Sequence, residues 1–360
     1  SRRRNTRLGR WSRGLGDVYK RQPYVPGEQP RLDNLVKLNT NESPYPPSPA
    51  VLEAIGAVTG DSLRLYPDPE SAELKRVFAA RNGLQPGQVF IGNGSDEVLA
   101  HTFQALLKHK LPLYFPDVTY SFYPVWCELY GVEHRTVALE TDFTIDPAAY
   151  PAENGGIIIP NPNAPTGVLM GLDAIRSLLA HSHRSVVVID EAYIDFGGES
   201  AVQLIQEFDN LLVVQTLSKS RALAGMRVGV AMGSAQLIEA LERVKNSFNS
   251  YPLDVVAQRA AIASLQDEEY YRHSCERVIS SRSRLGTEMT ALGFEILPSA
   301  ANFLFATHPG HAAAELFGKL RERGIIVRYF DKPRIDNHLR ISIGTDAQCD
   351  ALLAALRELL

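Results

Sequence analysis

The sequence is poor in cysteine and has no long apolar run. Its 360 residues include three cysteines, Cys127, Cys275 and Cys349. Their number is odd, their spacing is wide, and no two of them form a Cys-x-x-Cys pair. This pattern excludes a disulfide framework and fits a reducing compartment, so we expect a cytoplasmic protein with buried thiols. No uninterrupted apolar stretch approaches the ~20 residues of a membrane-spanning helix, and we therefore expect no membrane partner.

Acidic residues are scarce in residues 1–22 and outnumber basic residues in the rest of the chain. Residues 1–22 carry eight Lys or Arg against one acid, Asp17, whereas residues 23–360 carry 29 basic and 40 acidic residues. The acidic body argues against a nucleic-acid-binding surface. Residues 1–22 lack the apolar core of a signal peptide and the regular period of a transit peptide, and residues 17–22 resemble a translated adapter from DNA-library preparation. We expect residues 1–22 to be a non-native, disordered extension.

Buried strands are predicted in the middle of the chain. Continuous apolar runs occupy residues 156–159, 185–189, 211–216 and 227–232. Runs of this kind are typical of parallel strands covered on both faces. Helix-like stretches at 171–181 and 201–208 lie between them, so the sequence predicts a three-layer α/β/α domain with a mostly parallel central sheet. A helix-rich stretch with strands at 302–306 and 338–343 predicts a smaller α+β domain.

Three polar residues fall at predicted strand ends, where ligands bind in open α/β sheets. They are Asn163, Asp190 and Lys219, and the segment 216–227 around Lys219 also has hydroxyls before the lysine and Arg227 after it. A lysine that forms a Schiff base with a phosphate-bearing cofactor needs such neighbours, because the phosphate binds hydroxyls and a guanidinium. Taken alone, a Ser-Lys pair after a strand is also typical of a solvated loop.

Asp190 makes the cofactor chemistry more specific. It ends the apolar run 185–189, where a carboxylate needs a partner. Pyridoxal phosphate works as an electron sink only while its pyridine nitrogen stays protonated, and a buried carboxylate keeps it so. A helix cap or a structural ion pair is the alternative role. Asp190 upstream of Lys219 therefore favours pyridoxal phosphate.

A glycine-containing turn supplies a candidate phosphate site. Residues 92–97, Gly-Asn-Gly-Ser-Asp-Glu, follow an apolar strand-like run and precede a helix-like one. Gly94 lets the backbone approach a ligand, and Ser95 and Asp96 open a helix whose free N–H groups bind phosphate. Glu97 stands where a dinucleotide fingerprint needs its third glycine, which argues against a Rossmann cofactor site.

These motifs resemble those of the class I and II aminotransferases, which are pyridoxal-phosphate enzymes of fold type I. The matching pieces are Lys219 with Arg227, Asp190 with Tyr193, the turn 94–96 and Pro165-Thr166-Gly167. Within this class, the stretches 23–30, 38–45, 66–68 and 339–344 are similar to the histidinol-phosphate aminotransferase family. The resemblance implies an N-terminal arm over residues 23–45, a large cofactor-binding domain over 46–250 and a small domain over 251–360.

The resemblance implies a role for each matching residue. Lys219 would hold the cofactor as a Schiff base and move a proton, Asp190 would pair with the pyridine nitrogen, and Tyr193 would contact the cofactor's O3′. Tyr120 would stack on the ring, although an aromatic residue after a strand is also typical of a core. The residues expected around the phosphate are Gly94, Ser95, Asp96, Thr216, Ser218, Arg227 and, from the partner subunit of a homodimer with shared active sites, Tyr66.

The resemblance also implies the substrates, L-histidinol phosphate and 2-oxoglutarate, with L-glutamate as a product, in histidine biosynthesis. Arg340 would bind the anionic end of either substrate. The remaining residues expected in the substrate pocket are Tyr24, Asn41, Tyr251 and Arg328. The alternative role of Arg328 is a surface charge, and the alternative role of Tyr24 and Tyr251 is core packing. An aromatic-amino-acid aminotransferase and a threonine-phosphate decarboxylase of the same superfamily are the alternative activities.

One position departs from the family pattern. The family commonly has Asn directly before Pro-Thr-Gly, where it contacts O3′ of the cofactor, but this sequence has Ala164 there and Asn163 one position earlier. We expect Asn163 to take over this contact, and the alternative is that Tyr193 holds O3′ alone. The pair His181 and His183 has no neighbouring Cys or acid cluster, so we predict no metal site.

Overall fold

The computed structural model describes residues 27–30 and 35–360. The predicted extension over residues 1–22 and the predicted substrate residue Tyr24 lie outside the described residues. The strands are β1 Val36–Lys37, β2 Val89–Asn93, β3 Leu113–Pro116, β4 His134–Val137, β5 Ile157–Pro160, β6 Val187–Asp190, β7 Leu211–Thr216, β8 Val228–Gly233, β9 Glu295–Ile296, β10 Phe303–Thr307, β11 Ile325–Ile326, β12 Arg328–Tyr329 and β13 Leu339–Ser342. The α-helices are α1 Pro49–Gly56, α2 Gly60–Leu63, α3 Ala72–Asn82, α4 Gly94–Ala105, α5 Tyr123–Tyr130, α6 Leu172–His181, α7 Ala235–Phe248, α8 Val255–Gln266, α9 Glu268–Ala291, α10 Ala313–Glu322 and α11 Asp346–Leu359.

A seven-stranded sheet carries the strand ends on which the polar residues lie. Its strand order is β2-β8-β7-β6-β5-β3-β4. Neighbouring strands are parallel except where β8 pairs with β2 and β7. Every residue of β5, β6 and β8 is buried, which is why these strands are continuous apolar runs. The predicted α/β fold with a mostly parallel central sheet is confirmed.

Helices cover both faces of this sheet. Successive side chains of a strand point to opposite faces, so each central strand contributes to two cores. Ile157 and Ile159 belong to the core that includes residues of α3, α6 and α8, whereas Ile158 belongs to the core that includes residues of α4, α5 and α7. In α6 the buried residues are spaced three and four apart, as an amphipathic helix requires. Each fully buried aliphatic side chain contributes roughly 1.5–3 kcal/mol, so the two cores hold the strand ends rigidly.

The helix predicted over residues 201–208 is wrong in extent. Only Ala201–Leu204 are helical, and they form a 3-10 turn. The backbone N–H of Ala201 donates to the carboxylate of Glu191 at 2.7 Å, and the hydroxyl of Ser200 donates to the same carboxylate at 2.6 Å. These contacts tie the segment to the end of β6, so local helix propensity does not decide its conformation.

A second, smaller core lies on the C-terminal part of the chain. It is built around the antiparallel sheet β12-β13-β10-β9 and includes residues of α9, α10 and α11. The parallel pair of β1 with β11 brings the N-terminal arm to this core. α8 packs instead with the large sheet, and the boundary at residue 251 stays a prediction. Among the described helices, none has the length and apolarity needed to cross a membrane.

Candidate active site

The predicted residues that end β6 and follow β7 meet in one cavity. The cavity has a volume of about 250 Å³ and its wall includes Asp190, Tyr193 and Lys219. It lies beyond the carboxyl ends of the parallel strands, as expected for an α/β sheet. The other predicted residues on its wall are Asn41, Ser95, Asp96, Tyr120, Thr216, Ser218, Arg227, Arg328 and Arg340.

The amine of Lys219 is oriented by the N-terminal arm. Its Nζ donates a hydrogen bond of 3.2 Å to the carbonyl oxygen of Thr40 and lies 5.8 Å from the centre of the Tyr193 ring. Thr40 is 179 residues away in the sequence, and sequence reasoning did not identify it. The backbone of the arm therefore holds the amine toward the cavity.

Asp190 presents one carboxylate oxygen that has no partner. Its Oδ2 accepts a hydrogen bond of 2.9 Å from the hydroxyl of Tyr123, whereas its buried Oδ1 makes no hydrogen bond within the described chain. Burial raises the pKa of Asp190 to about 6, against the opposing effects of the Tyr123 hydroxyl and the backbone N–H of Ala192. A buried carboxylate oxygen without a donor is costly, so Asp190 is suited to receive an N–H group from a ligand.

The start of α4 forms a cup beside the end of β8. Gly94 has φ of +83°, and a Cβ at this position would lie 2.5 Å from Nη2 of Arg227. Asp96 accepts hydrogen bonds from Arg227 at 3.2 Å and from the Tyr120 hydroxyl at 3.1 Å. The backbone conformation favours glycine here, and a Cβ would also displace the guanidinium of Arg227. Free N–H groups at a helix start and an adjacent guanidinium together suit a phosphate.

Two hydroxyls complete the cup on the side of Lys219. The hydroxyl of Thr216 donates to that of Ser218 at 2.9 Å, and both side chains are buried. Arg227 has φ of +53°, a conformation that disfavours residues with a side chain. An ordinary residue in this conformation costs about 1–3 kcal/mol and is held there by its surroundings.

Asn41 links Tyr193 to the smaller core. Its Nδ2 donates to the Tyr193 hydroxyl at 3.0 Å, and its Oδ1 accepts from the Ser342 hydroxyl at 2.7 Å. The side chain of Asn302 donates to the Asn41 carbonyl at 3.0 Å. These partners lie 152, 301 and 261 residues from Asn41, so the predicted substrate residue also connects the arm to the smaller core, against which Tyr193 packs.

Two arginines stand opposite each other on neighbouring strands. Arg328 of β12 pairs in register with Arg340 of β13, and both line the cavity. The Phe330 ring lies 5.5 Å from the first guanidinium and 5.6 Å from the second. Nη2 of Arg340 donates to the carbonyl of Asn39 at 2.8 Å. Two adjacent cations of this kind suit an anionic ligand group. Sequence reasoning did not identify Phe330, which carries no motif.

Three other predicted residues lie elsewhere. Asn163 is fully buried and is not part of the cavity wall, which includes Ala164 instead. Its Nδ2 donates to the carbonyl of Val118 and to the hydroxyl of Thr166, both at 3.0 Å. Tyr66 and Tyr251 stack on each other with ring centres 4.6 Å apart, and neither lines this cavity. The expected contact of Asn163 with O3′ therefore stays a prediction that these hydrogen bonds do not favour.

Within the part of the chain that the structure describes, the site therefore combines an amine, a buried carboxylate with one unpartnered oxygen, a cup suited to a phosphate and a pair of arginines. A family model described as Aminotransferase class I and II matches residues 33–356, and the chain belongs to this family. The predicted family resemblance is confirmed.

Particular relatives carry a narrower name. The chain is 61% identical over 353 residues to histidinol-phosphate aminotransferase 2 of Dechloromonas aromatica (strain RCB), covering 97% of this chain and 98% of the relative. It is 60% identical to histidinol-phosphate aminotransferase 1 of Pseudomonas aeruginosa, covering 96% and 98%. A crystal structure of histidinol-phosphate aminotransferase from Sinorhizobium meliloti in complex with pyridoxal-5′-phosphate has a TM-score of 0.82 and 26% identity, covering 90% of this chain and 91% of that chain.

Proposed function

We propose that this chain is a histidinol-phosphate aminotransferase of histidine biosynthesis. It would transfer an amino group reversibly between L-histidinol phosphate and 2-oxoglutarate, with pyridoxal 5′-phosphate as cofactor. The proposal is supported by relatives of that name at about 60% identity over nearly the whole chain. The observation that carries it is the meeting of the Lys219 amine and the free oxygen of Asp190 in one cavity.

The described residues fit this cofactor. Oδ1 of Asp190 would accept the pyridine N–H, and the cup of Gly94, Ser95 and Arg227 would hold the phosphate. When bound, pyridoxal phosphate supplies an electron sink for the substrate's Cα. A cationic ring nitrogen beside Asp190 favours the charged carboxylate, which opposes the effect of burial on its pKa.

Lys219 is the residue that would move the proton. Its Nζ would form the covalent link to the cofactor and then carry a proton to and from the substrate's Cα. The carbonyl of Thr40 accepts a hydrogen bond from this amine at 3.2 Å and would keep it directed into the cavity. Tyr193, fixed by Asn41, would hold the ring oxygen O3′ beside the amine.

The arginine pair would bind the two substrates in turn. Histidinol phosphate has a phosphate and glutamate a carboxylate at the end far from the reacting carbon. Arg328 and Arg340 face each other across β12 and β13, and a guanidinium donates hydrogen bonds to either anion. One site can thus bind both substrates in turn, as a ping-pong transfer requires.

The exposed tyrosine pair supports a homodimer with shared sites. Tyr66 is 81% exposed although its ring is stacked on Tyr251. Other exposed apolar side chains of the same stretches are Leu63, Leu65 and Phe248. Exposed apolar side chains of this size favour a protein interface. Tyr66 would reach the phosphate cup of the partner subunit.

Complementation tests this arrangement. A subunit with Tyr66→Ala and a subunit with Lys219→Ala are each expected to be inactive alone. Co-expressed, they form mixed dimers in which one site has both an intact Lys219 and an intact Tyr66, so activity is expected to return. No recovery in dimers shown to be mixed by mass spectrometry would contradict the shared site.

The cellular location is also part of the proposal. Cys127, Cys275 and Cys349 are all buried thiols without a disulfide. Thiols of this kind are typical of a reducing compartment, and we propose the cytoplasm. Detection of the tagged protein in the fraction of a cytoplasmic marker tests this.

A half-reaction experiment separates the candidate activities. Histidinol phosphate, glutamate and phenylalanine are added separately to the purified protein, and loss of the bound cofactor's visible absorbance is followed. We expect rapid loss with the first two and a rate at least about tenfold lower with phenylalanine. A faster rate with phenylalanine would favour an aromatic-amino-acid aminotransferase, and release of carbon dioxide from threonine phosphate would favour the decarboxylase.

A further inference from the structure

The two residues after Lys219 turn away from the main cavity. Ser220 and Arg221 are each 6% exposed and line a small internal pocket on the other side of the chain. Ala222 has φ of +56°, an uncommon conformation for a residue with a Cβ. The side chains of Ser220 and Arg221 therefore anchor the backbone next to Lys219 on the side away from the main cavity.

Arg221 is a buried cation with three partners. Its guanidinium lies 3.9 Å from the centre of the Tyr271 ring, donates to the carbonyl of Ser264, and is 3.4 Å from Oε2 of Glu268. Burial lowers the pKa of Arg221, and Arg81 lowers it further. A buried arginine needs such partners, because an unpaired charge in the interior is costly.

Ser220 extends the same cluster. Its hydroxyl donates to the carboxylate of Asp195, and the Tyr271 side chain also hydrogen-bonds to Asp195. Arg81 pairs with Glu268 on the outer side. The negative charges of Asp195 and Glu268 balance the positive charges of Arg81 and Arg221. Further titratable groups at the cluster are Asp267 and Tyr270, which line the pocket, and the Cys275 thiol, which interacts with Tyr271 and Asp195.

The cluster joins the lysine to α9. Glu268 and Tyr271 lie in the first turn of this helix, and its later residues Val278, Leu285 and Met289 belong to the smaller core. β13, which carries Arg340, belongs to the same core. One helix therefore contacts the loop of the amine at one end and, at the other, packs in the core to which the arginine-bearing strand β13 belongs.

We infer that Arg221 is a positioning residue for Lys219. Through Tyr271 and Glu268 it fixes the loop so that the amine meets the cavity, and it ties that loop to the core that carries the arginine pair. The inference rests on the proposed function, in which Lys219 bears the cofactor. A purely structural role for Arg221 would affect stability and leave the amine unchanged.

The variants are chosen to separate these roles. Arg221→Met removes the charged guanidinium and keeps an unbranched side chain comparable to the stem of arginine, and Arg221→Lys restores the charge without the planar fork. Tyr271→Phe keeps the ring and removes the hydroxyl that reaches Asp195, so it tests the cluster if Arg221→Met fails to fold. Leu241→Ala, in α7 of the large domain, is the control for lost stability.

The measurement uses cofactor-free protein. Reductive methylation with formaldehyde and cyanoborohydride is followed by peptide mapping over a range of pH, with the exposed Lys110 as internal reference. We expect Arg221→Met and Tyr271→Phe to move the labelling midpoint of Lys219 by at least about half a pH unit, Arg221→Lys to move it less, and Leu241→Ala to leave it in place. An unchanged midpoint in folded Arg221→Met and Tyr271→Phe proteins would overturn the inference.

Reconstituted protein gives the second readout. With pyridoxal phosphate bound, Arg221→Met is expected to lower kcat by about tenfold or more while KM changes by less than about threefold, since misplacing a reacting group affects the chemical step. Equal kcat in wild type and Arg221→Met would also overturn the inference. Failure of the proposed function has a different signature, because wild-type Lys219 would then form no link to pyridoxal phosphate, while the labelling experiment still measures the amine.

Discussion

The hydroxyl of Tyr123 donates a hydrogen bond of 2.9 Å to Oδ2 of Asp190, and both side chains are buried. Burial and the charge of Asp190 raise the pKa of Tyr123 well above its usual range, so this residue remains a donor at neutral pH. The contact decides which carboxylate oxygen is left for a ligand. Oδ1 remains free within the described chain, and the cofactor's ring nitrogen is the group that we propose for it.

Tyr123→Phe tests this contact with little change in packing. The variant removes a donor to a charged group, which is worth about 1.5–3 kcal/mol. Because that hydrogen bond favours the carboxylate, its loss is expected to raise the pKa of Asp190 further and to weaken cofactor binding by about tenfold or more. Titration of the cofactor-free variant with pyridoxal phosphate measures the binding. Wild-type affinity in the variant would contradict the role of Tyr123.

Lys219→Ala is expected to abolish the covalent link and to reduce turnover by at least about 100-fold, the lower range of acid–base contributions. Reduction with borohydride followed by mass spectrometry of the labelled peptide measures the link. Lys110→Ala, at an exposed lysine, is the control and is expected to behave as wild type. An active Lys219→Ala protein would refute the proposed mechanism.

Arg328→Gln is expected to raise KM for histidinol phosphate more than KM for glutamate. The reason is that a phosphate carries more charge than a carboxylate and loses more when one of two facing guanidiniums is removed. A difference of about tenfold between the two KM ratios is expected. Steady-state kinetics with each substrate varied measures it, with Arg176→Gln at an exposed ion pair as the control. Equal changes in both KM values would argue against a phosphate contact.

Gly94→Ala is expected to weaken cofactor binding and to destabilise the protein. Its Cβ would lie 2.5 Å from Nη2 of Arg227, and φ of +83° disfavours alanine. Gly87→Ala is the matched control, because a Cβ there meets nothing within 4 Å. Comparison of melting temperatures and of cofactor affinity checks the prediction. The same affinity in both variants would mean that Gly94 does not shape the cup.

Glu191→Gln is expected to reduce the dependence of stability on pH. Burial raises the pKa of Glu191 from 4.5 to about 7, so the folded protein binds this proton more tightly than the unfolded chain. The resulting stability is fully present below about pH 4.5 and is lost as pH rises through 7. Between pH 4.5 and 8 the wild-type free energy of unfolding should therefore fall by on the order of 2 kcal/mol more than that of the variant.

Urea denaturation of the cofactor-free proteins at several pH values measures this difference. Asp190, whose pKa is also raised by burial, is present in both proteins, so the difference between the two curves reports on Glu191. Parallel curves of unfolding free energy against pH would show that Glu191 is not the group responsible.

Local pattern was sufficient for the central strands β5 to β8 and for two of the proposed reacting groups. β5, β6 and β7 coincide with continuous apolar runs because strands buried on both faces admit few polar residues. Asp190 and Lys219 were predicted as site residues because they lie at or just beyond the ends of those runs. The segment 201–208 was predicted less well, since its contact with Glu191 outweighs its helix propensity.

The sequence by itself determined the fold class, the ends of the central strands, the glycine turn at residues 92–97 and the position of Lys219, because each depends on residues close together along the chain. Only the tertiary structure decided which groups surround them. Thr40, Asn41 and Tyr123 contact residues between 67 and 301 positions away, and Asn163 is turned from the cavity by Val118 and Thr166. Hydrogen bonds at such separations depend on how the two cores and the arm pack together. The local periodicity of the sequence does not predict that packing.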